Sequence, residues 1–284
     1  MSAAPYDYAF QNSSWTQEKD ADPSTARLVG AWAATPKMLQ RLTEFPRLEG
    51  LWIGDGGRRN QPAIAALRRL RVLRLNGATG ADLGFLGGLS GLHILELSSA
   101  TAASLRGIER LRRLECLVID HAPKIASLEP IGALAELRHL SISTPASWDA
   151  AKKCIEVESL QPLADLSRLE RLTLRGVRPA AGGLRPLEGL RALVDVEISH
   201  VPTFGLEDFA RLAGALPRAS GDCLRPHFRM SFPWPCKRCK TTQEWLTGAV
   251  GRQKRYLCPA CDKERLAAHV AEFERIKQAA AASA

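Results

Sequence analysis

A short pattern of apolar residues, Leu-x-x-Leu-x-Leu/Ile, recurs along most of this chain and limits what it can fold into. The first leucines of successive copies are 22, 22, 22, 23, 32 and 24 residues apart. Weaker copies begin at Ala26 and Leu216. The seven strong copies begin at Leu48, Leu70, Leu92, Leu114, Leu137, Leu169 and Leu193.

Two periods lie within each copy, and they predict two kinds of structure. The alternation Leu51-x-Ile53 is typical of a strand that turns one face to a core. Between strands, leucines at steps of three, such as Leu83, Leu86 and Leu89, predict a short helical or 3₁₀ segment. One strand and one such segment cannot bury a core alone, but stacked copies can. The spacing therefore predicts an α/β solenoid.

The pattern resembles the leucine-rich repeats, specifically the 22-residue class of bacterial internalins and of the protein-phosphatase regulatory subunit. The resemblance covers about residues 26–221. It implies an arc with a parallel sheet on the concave face and short helical or 3₁₀ segments on the convex face. We expect about eight or nine coils over residues 26–224, with residues 1–25 as an N-terminal cap.

One position of each repeat differs from the pattern of the internalin-type repeats. Internalin-type repeats usually carry an asparagine three residues after the last apolar residue of the strand, where its amide bonds neighbouring coils. We expect the backbone or water to satisfy these turns instead. The residues at this position are Gly56, Ala78, Ala100, Ala122, Pro145, Val177 and Val201.

In this fold, the residues between the core positions of each strand point out of the concave sheet, which the resemblance implies is a protein-binding surface. Trp and Arg are frequent hot spots of protein interfaces. A solvated face without a ligand is the alternative interpretation. The candidate contact residues are Trp32, Trp52, Arg74, Glu96, Asp120, His121, Arg175 and Glu197.

Catalysis is not expected on this face. His121 and His200 lie three to four coils apart, too far to share a proton or a metal ion. The chain contains no nucleophile elbow, phosphate-binding glycine loop or His-Glu-x-x-His sequence. We therefore expect neither an enzyme nor a small-molecule substrate.

The 32-residue spacing marks an insertion, residues 143–159, directly after a strand. Repeat proteins place such insertions in surface loops, often beside the binding face. Trp148, Lys152 and Lys153 either form a lip that contacts a ligand or belong to a tolerated loop. The sequence favours neither.

Four cysteines near the C-terminus have the spacing of a metal site. Cys236 and Cys239, then Cys258 and Cys261, form two Cys-x-x-Cys pairs separated by 18 residues. Two such pairs complete a tetrahedron of thiolates, which suits one structural Zn²⁺. The pattern resembles a zinc ribbon over residues 225–263, followed by a helix and a frayed tail over residues 264–284. Redox disulfides are the less favoured alternative.

The positive charge is concentrated in the same region. The formal net charge is +9, and residues 225–265 alone, with 10 basic and 3 acidic side chains, contribute +7. Basic groups beside aromatic rings can bind nucleic acid, which is the runner-up function. Alternatively, they offset the charge of about −2 that four thiolates leave on a zinc site. The candidate contacts are Lys237, Arg238, Arg252, Lys254 and Arg255.

Composition sets the expected location. No apolar run approaches the roughly 18 residues that a membrane helix needs. Residues 1–10 lack the basic start and apolar stretch of a secretory signal, which predicts a reducing cytoplasm. The Ala- and Arg-rich composition indicates a bacterial source.

Overall fold

The strands of successive copies form one parallel sheet. In this computed structural model, the described residues are 15–145, 153–199, 204–229, 235–249 and 255–283. Two strands, β8 (Ile155–Ser159) and β10 (Val177–Ala181), lie outside the main sheet and pair with each other. The nine strands of the main sheet are, in spatial order, β1 (Thr16–Gln17), β2 (Leu28–Ala31), β3 (Gly50–Ile53), β4 (Val72–Asn76), β5 (Ile94–Ser98), β6 (Cys116–Asp120), β7 (His139–Ser143), β9 (Arg171–Leu174) and β11 (Asp195–Ile198).

The register of this sheet follows the sequence repeat. Equivalent residues of neighbouring copies are direct partners, so each core position forms a row of buried side chains across the strands. Alternate residues face the opposite, concave side, as the alternation predicts. The first core row consists of Val29, Leu51, Leu73, Leu95, Leu117, Leu140, Leu172 and Val196.

The segments whose leucines recur every three residues form the predicted short helices and 3₁₀ turns. Three are short α-helices and four are 3₁₀ turns, and each turns a buried apolar residue, such as Leu39, Leu86 or Leu187, to the core. The architecture is thus an α/β solenoid of leucine-rich repeats. The segments are α1 (Pro36–Leu42), α2 (Gln61–Ala65), α3 (Glu129–Gly132) and the 3₁₀ turns Gly84–Gly88, Ile108–Arg110, Gln161–Leu163 and Arg185–Leu187.

Main-chain hydrogen bonds connect neighbouring coils at the turns where internalin-type repeats carry an asparagine. The amides of Gly77, Ser99 and His121 donate to the carbonyls of Ser98, Asp120 and Ser143 in the next coil, at 2.8–2.9 Å. All three donors are left-handed, with φ of 72°, 49° and 60°. At these three turns the backbone makes the bonds that the sequence analysis assigned to backbone or water.

The end of the insertion is a strand rather than a loop. Residues 146–152, with Trp148 and Lys152, lie outside the described part. The following residues form β8, which pairs in parallel with β10 one coil away. Ile155 and Val157 are 1% exposed and belong to the solenoid core. The surface-loop prediction is therefore wrong for residues 155–159, because alternate residues of this segment are apolar and turn inward.

The C-terminal region begins with α4 (Leu206–Ala215), in which Leu206, Phe209 and Leu212 recur at helical spacing. A small antiparallel sheet follows, with β12 (His227–Phe228), β13 (Glu244–Leu246) and β14 (Tyr256–Leu257). The last element is α5 (Lys263–Ala282). No helix in the described ranges is long and apolar enough to span a membrane.

Helix α5 packs directly on α4 and closes the end of the solenoid. Phe273 is fully buried and belongs to the same core as the repeat leucines. The prediction of a frayed tail after residue 278 is wrong, since the helix continues and Ala280 is 7% exposed. Gly214 of α4 allows this, because a Cβ there would collide with the carbonyl of Lys277.

Candidate functional sites

The concave face has the register that the sequence predicted. Trp52, Arg74, Glu96 and Val118 are direct partners on consecutive strands, and the row continues through Ser141 and Thr173 to Glu197. Five candidate residues lie on strands, and three lie in the turns directly after them. The first group is Trp52, Arg74, Glu96, Asp120 and Glu197, and the second is Trp32, His121 and Arg175.

Two tryptophans form an aromatic platform at the N-terminal end of this face. The ring centroids of Trp32 and Trp52 are 4.7 Å apart, with planes tilted by 40°. Trp52 is half-buried, whereas Trp32 is 65% exposed. Gly30 lies beside Trp52 on the neighbouring strand, and a Cβ there would come within 3.3 Å of the indole. The missing side chain lets the indole lie against the sheet.

Ion pairs cross the same face between neighbouring coils. Nε of Arg74 lies 3.0 Å from a carboxylate oxygen of Glu96, and a second guanidinium nitrogen donates to the other oxygen at 3.1 Å. Arg175 and Glu197 form a bidentate pair at 2.7 and 2.8 Å. The Arg74 and Glu96 side chains are 31% and 14% exposed, against 52% and 53% for the second pair. The first pair is therefore more shielded from water.

Further along, Asp120 accepts a hydrogen bond of 3.0 Å from the Ser143 hydroxyl. His121 follows Asp120 in the left-handed turn rather than on the strand.

The concave face also carries a second cluster that the sequence reading missed. Val72, Ile94, Cys116 and Val118 pack together on the side opposite the leucine core, and we call them the concave apolar patch. Ile94, Cys116 and Val118 are 4%, 2% and 8% exposed. Burial raises the pKa of the Cys116 thiol. The sequence does contain an indication of this patch. Residues 116–119 form an unbroken apolar run, which is typical of a strand buried on both faces.

The four cysteine thiols converge in the C-terminal region. All four Sγ atoms lie within 4.8 Å of one another. Cys236 and Cys261 are 4.0 Å apart, and Cys239 and Cys258 are 3.4 Å apart. Tetrahedral ligands at about 2.3 Å from an ion would be about 3.8 Å apart, so the donor set fits a soft metal ion.

Each cysteine pair sits in a backbone turn. The amide of Lys240 donates to the carbonyl of Cys236 at 2.9 Å, with Lys240 in a left-handed conformation at φ 62°. Hydrogen bonds from Thr241 lower the pKa of the Cys239 thiol to about 6. The hydrogen bond with Cys239, then burial, raise the pKa of Cys261 to about 12.

An arginine links the two turns. Arg238, between the first two cysteines, donates to a carboxylate oxygen of Asp262 at 3.0 Å and to the carbonyl of Cys261 at 3.4 Å. The other oxygen of Asp262 accepts from the amide of Cys258 at 3.1 Å. Arg238, predicted as a nucleic-acid contact, thus bridges the two turns while its side chain remains 62% exposed.

Some of the remaining predicted contact residues are exposed in the structure, and the others lie outside the described residues. Lys237 and Arg255 are exposed beside the cysteine cluster, and Lys153 is exposed just before β8. Arg252 and Lys254 lie outside the described residues, as do Trp148 and Lys152. Tyr256 is 39% exposed, with its ring centroid 6.3 Å from that of Trp245.

Comparison with known proteins adds little to this geometry. No protein-family model and no curated protein matches the chain. An internalin of Listeria monocytogenes has 19% identity over 64% of this chain and 55% of its own, with a TM-score of 0.48. Internalin C2 of the same organism has 20% identity over 70% and 90%, with a TM-score of 0.43.

A leucine-rich repeat protein of Leptospira interrogans has 18% identity over 70% of this chain and 54% of its own, with a TM-score of 0.47. This chain spans about half the length of this protein and of the first internalin. With such low identities and scores, the fold assignment rests on the repeat and sheet of the chain itself.

Proposed function

We propose that this protein is a non-catalytic scaffold that recognises a protein partner through the concave face of its repeat. The observation that carries the proposal is the exposure of Trp32, which is 65% exposed although its ring lies against that of Trp52 at a tilt of 40°. Burying such a ring against a partner releases water from a large apolar surface.

The surroundings of the platform support protein recognition. Arg74 and Glu96 lie on the next two strands, so an aromatic contact is followed by paired charges of both signs. Interfaces of proteins combine aromatic and arginine anchors with a polar rim. We infer that Trp32, Trp52 and Arg74 are the anchors, and that the remaining predicted concave residues form the rim.

The cysteine cluster supports a structural role for the C-terminal region. We propose that its four thiolates hold one Zn²⁺, which cross-links the two turns as in a zinc ribbon and leaves no position for a substrate. The solenoid belongs, on this proposal, to the 22-residue class of repeats. Reduced thiols and zinc also fit a bacterial cytoplasm.

Nucleic-acid binding by the basic C-terminal region is the weaker candidate. Arg238, one of the five predicted contacts, already pairs with Asp262, although its side chain is 62% exposed. Exposed Lys237 and Arg255 are also well placed to offset the charge of the thiolates.

The experiment compares the intact chain with its Trp32→Ala/Trp52→Ala variant in affinity capture from an extract of the source cells. Tyr256→Ala is the matched control, because it removes another exposed aromatic ring away from the concave face. We expect the double variant to lose at least tenfold in capture of the retained protein, and the control to keep it. Equal capture by both variants would contradict the proposal.

A further inference from the structure

We propose that the edge of the solenoid where the chain passes from the helical segments to the strands binds an acidic peptide segment of a protein partner. One bulky apolar side chain of that peptide occupies a cavity between two coils. This edge is separate from the concave face, so the inference goes beyond the proposed function. We call the basic residues next to the cavity the arginine edge, and they are Arg47, Arg68, Arg69 and Arg71.

The cavity lies between residues 42–48, which lead from α1 to β3, and residues 66–70, which lead from α2 to β4. Its volume is about 170 Å³. Its apolar walls belong to the solenoid core and are 1–5% exposed, whereas Thr43, Ala66 and Arg68 in the same lining are exposed. The cavity therefore reaches from the core to the surface. The apolar wall residues are Leu42, Phe45, Leu48, Leu67 and Leu70.

The volume of the cavity matches one apolar side chain. A cavity of about 150 Å³ lined by leucine, isoleucine and phenylalanine binds a benzene molecule. The cavity between the two coils is slightly larger, so it can admit the side chain of a leucine, methionine or phenylalanine. Ala66 has the smallest side chain of the lining, and a larger side chain there would occupy part of this space.

The charge beside the cavity is positive. Residues 43–48 and 66–71 together hold four arginines and one acidic residue, Glu44, which gives a net charge of 4 − 1 = +3. Arg47, Arg68 and Arg71 are exposed, and none of them forms an ion pair with another described residue. An acidic ligand would supply the carboxylates that these arginines lack.

Arginines at the same positions of later coils do have carboxylate partners. Arg138 corresponds to Arg71 and pairs with Glu170, and Arg168 corresponds to Arg69 and pairs with Glu136. The repeat therefore normally neutralises an arginine at this edge with an acid of a neighbouring coil. The arginine edge differs from those coils in its uncompensated charge.

Arg69 is held beside the cavity. Its Nη1 donates to the carbonyl of Pro46 in the neighbouring coil at 3.4 Å, so the guanidinium spans the two turns between which the cavity lies. A guanidinium has five N–H donors in a planar arrangement that matches a carboxylate. One bond to Pro46 leaves donors for an acidic group of the ligand.

The cavity and the charge together specify the ligand. A chain of phosphates would neutralise the arginines but leave the apolar cavity without a matching group. A peptide that carries a leucine, methionine or phenylalanine between acidic residues satisfies both features. An apolar anchor in a pocket, surrounded by charged contacts, is also the usual arrangement of a protein interface.

The test measures the binding of fluorescein-labelled heptapeptides to the intact chain by fluorescence polarisation. Each peptide has three acidic residues on either side of a central phenylalanine, leucine, methionine or serine. We expect the three apolar peptides to bind at least tenfold more tightly than the serine peptide, because only they fill the cavity. Binding should weaken as salt rises, because the arginines are exposed.

One variant tests the cavity. Ala66→Leu fills part of it, and Ala133→Leu is the matched control, because both alanines follow a short helix at the same position of the repeat. We expect Ala66→Leu to weaken binding of the phenylalanine peptide at least tenfold and Ala133→Leu to leave it within about twofold.

A second variant tests the charge. Arg68→Gln combined with Arg69→Gln removes two positive charges from the lining. The control is Arg58→Gln combined with Arg59→Gln, which changes an adjacent, exposed pair at the opposite edge, between β3 and α2. We expect the first pair of changes to weaken the phenylalanine peptide at least tenfold and the control to leave it within about twofold.

Equal binding of the serine and phenylalanine peptides, equal binding by either variant and its control, or no binding of any apolar peptide would overturn the proposal. Tighter binding of oligothymidylate or of phosphatidylserine vesicles, lost in the arginine variant, would overturn it by assigning the edge to phosphate groups. Self-association that the arginine variant abolishes would assign the edge to a second copy. The Trp32→Ala/Trp52→Ala variant should bind the peptides unchanged, so failure here is distinct from failure of the proposed function.

Discussion

Gly214 of α4 touches the main chain of α5 at Lys277, so the last helix lies as close to the solenoid as the absence of a side chain permits. A Cβ on Gly214 would collide with the carbonyl oxygen of Lys277 and lie 2.9 Å from the Cβ of Ala280. The contact makes the C-terminal region part of the solenoid core, together with the buried ring of Phe273.

Gly214→Ala should therefore destabilise the chain by about 1–3 kcal/mol, because the two helices must separate to admit a methyl group. Gly189→Ala is the matched control, since a Cβ there meets no atom within 4 Å. We expect the control to stay within about 0.5 kcal/mol of the unmodified chain. Denaturant unfolding measures both, and equal stability of the two variants would contradict close packing of α5.

The two ion pairs of the concave face should differ in strength. A double-mutant cycle of Arg74→Ala and Glu96→Ala should give a coupling of about 1 kcal/mol, because these side chains are largely shielded. The same cycle at Arg175 and Glu197, which are half-exposed, should give about 0.3 kcal/mol. Both pairs join neighbouring coils, so exposure is the main difference. Equal coupling energies would show that exposure does not set their strength.

Removal of metal should affect more than the cysteine turns. We expect one zinc per chain, and hydrogen exchange after chelation should show lost protection in residues 235–249 and 255–282. Protection should also fall in α4, because α5 packs on it, while β4 to β6 stay protected by their own neighbours.

Cys236→Ser should reproduce the effect of chelation, whereas Cys154→Ser should not, because Cys154 lies outside the cluster. Unchanged protection of α4 would mean that the C-terminal region is an independent unit. Freshly purified, reduced protein without zinc would overturn the assignment of the metal.

Nucleic-acid binding should be weak and sensitive to salt. We expect the clustered charges to make few simultaneous phosphate contacts, so few counterions are released on binding, and affinity should vanish near physiological ionic strength. Changing Arg252, Lys254 and Arg255 to Glu should abolish the residual binding but leave protein capture intact. A salt titration against single- and double-stranded oligonucleotides measures this. Tight binding that survives physiological salt would reverse the order of the two proposed functions.

The sequence alone determined the solenoid and its register. Leu51, Leu73 and Leu95 are direct partners because each coil repeats the same local pattern and packs on its neighbour in the same way. The Cys-x-x-Cys spacing likewise determined the thiol cluster, since each pair is fixed by one local turn.

Only the tertiary structure showed the long-range contacts that occur once in the fold and are not repeated from coil to coil. No period in the sequence records the contact of Trp32 with Trp52, the link from Arg238 to Asp262 or the packing of α5. The burial of Cys116 on the concave face belongs here too, because the repeat pattern did not predict it. A repeated local pattern fixes neighbours many times over, whereas a single long-range contact is specified only by the fit of two distant surfaces.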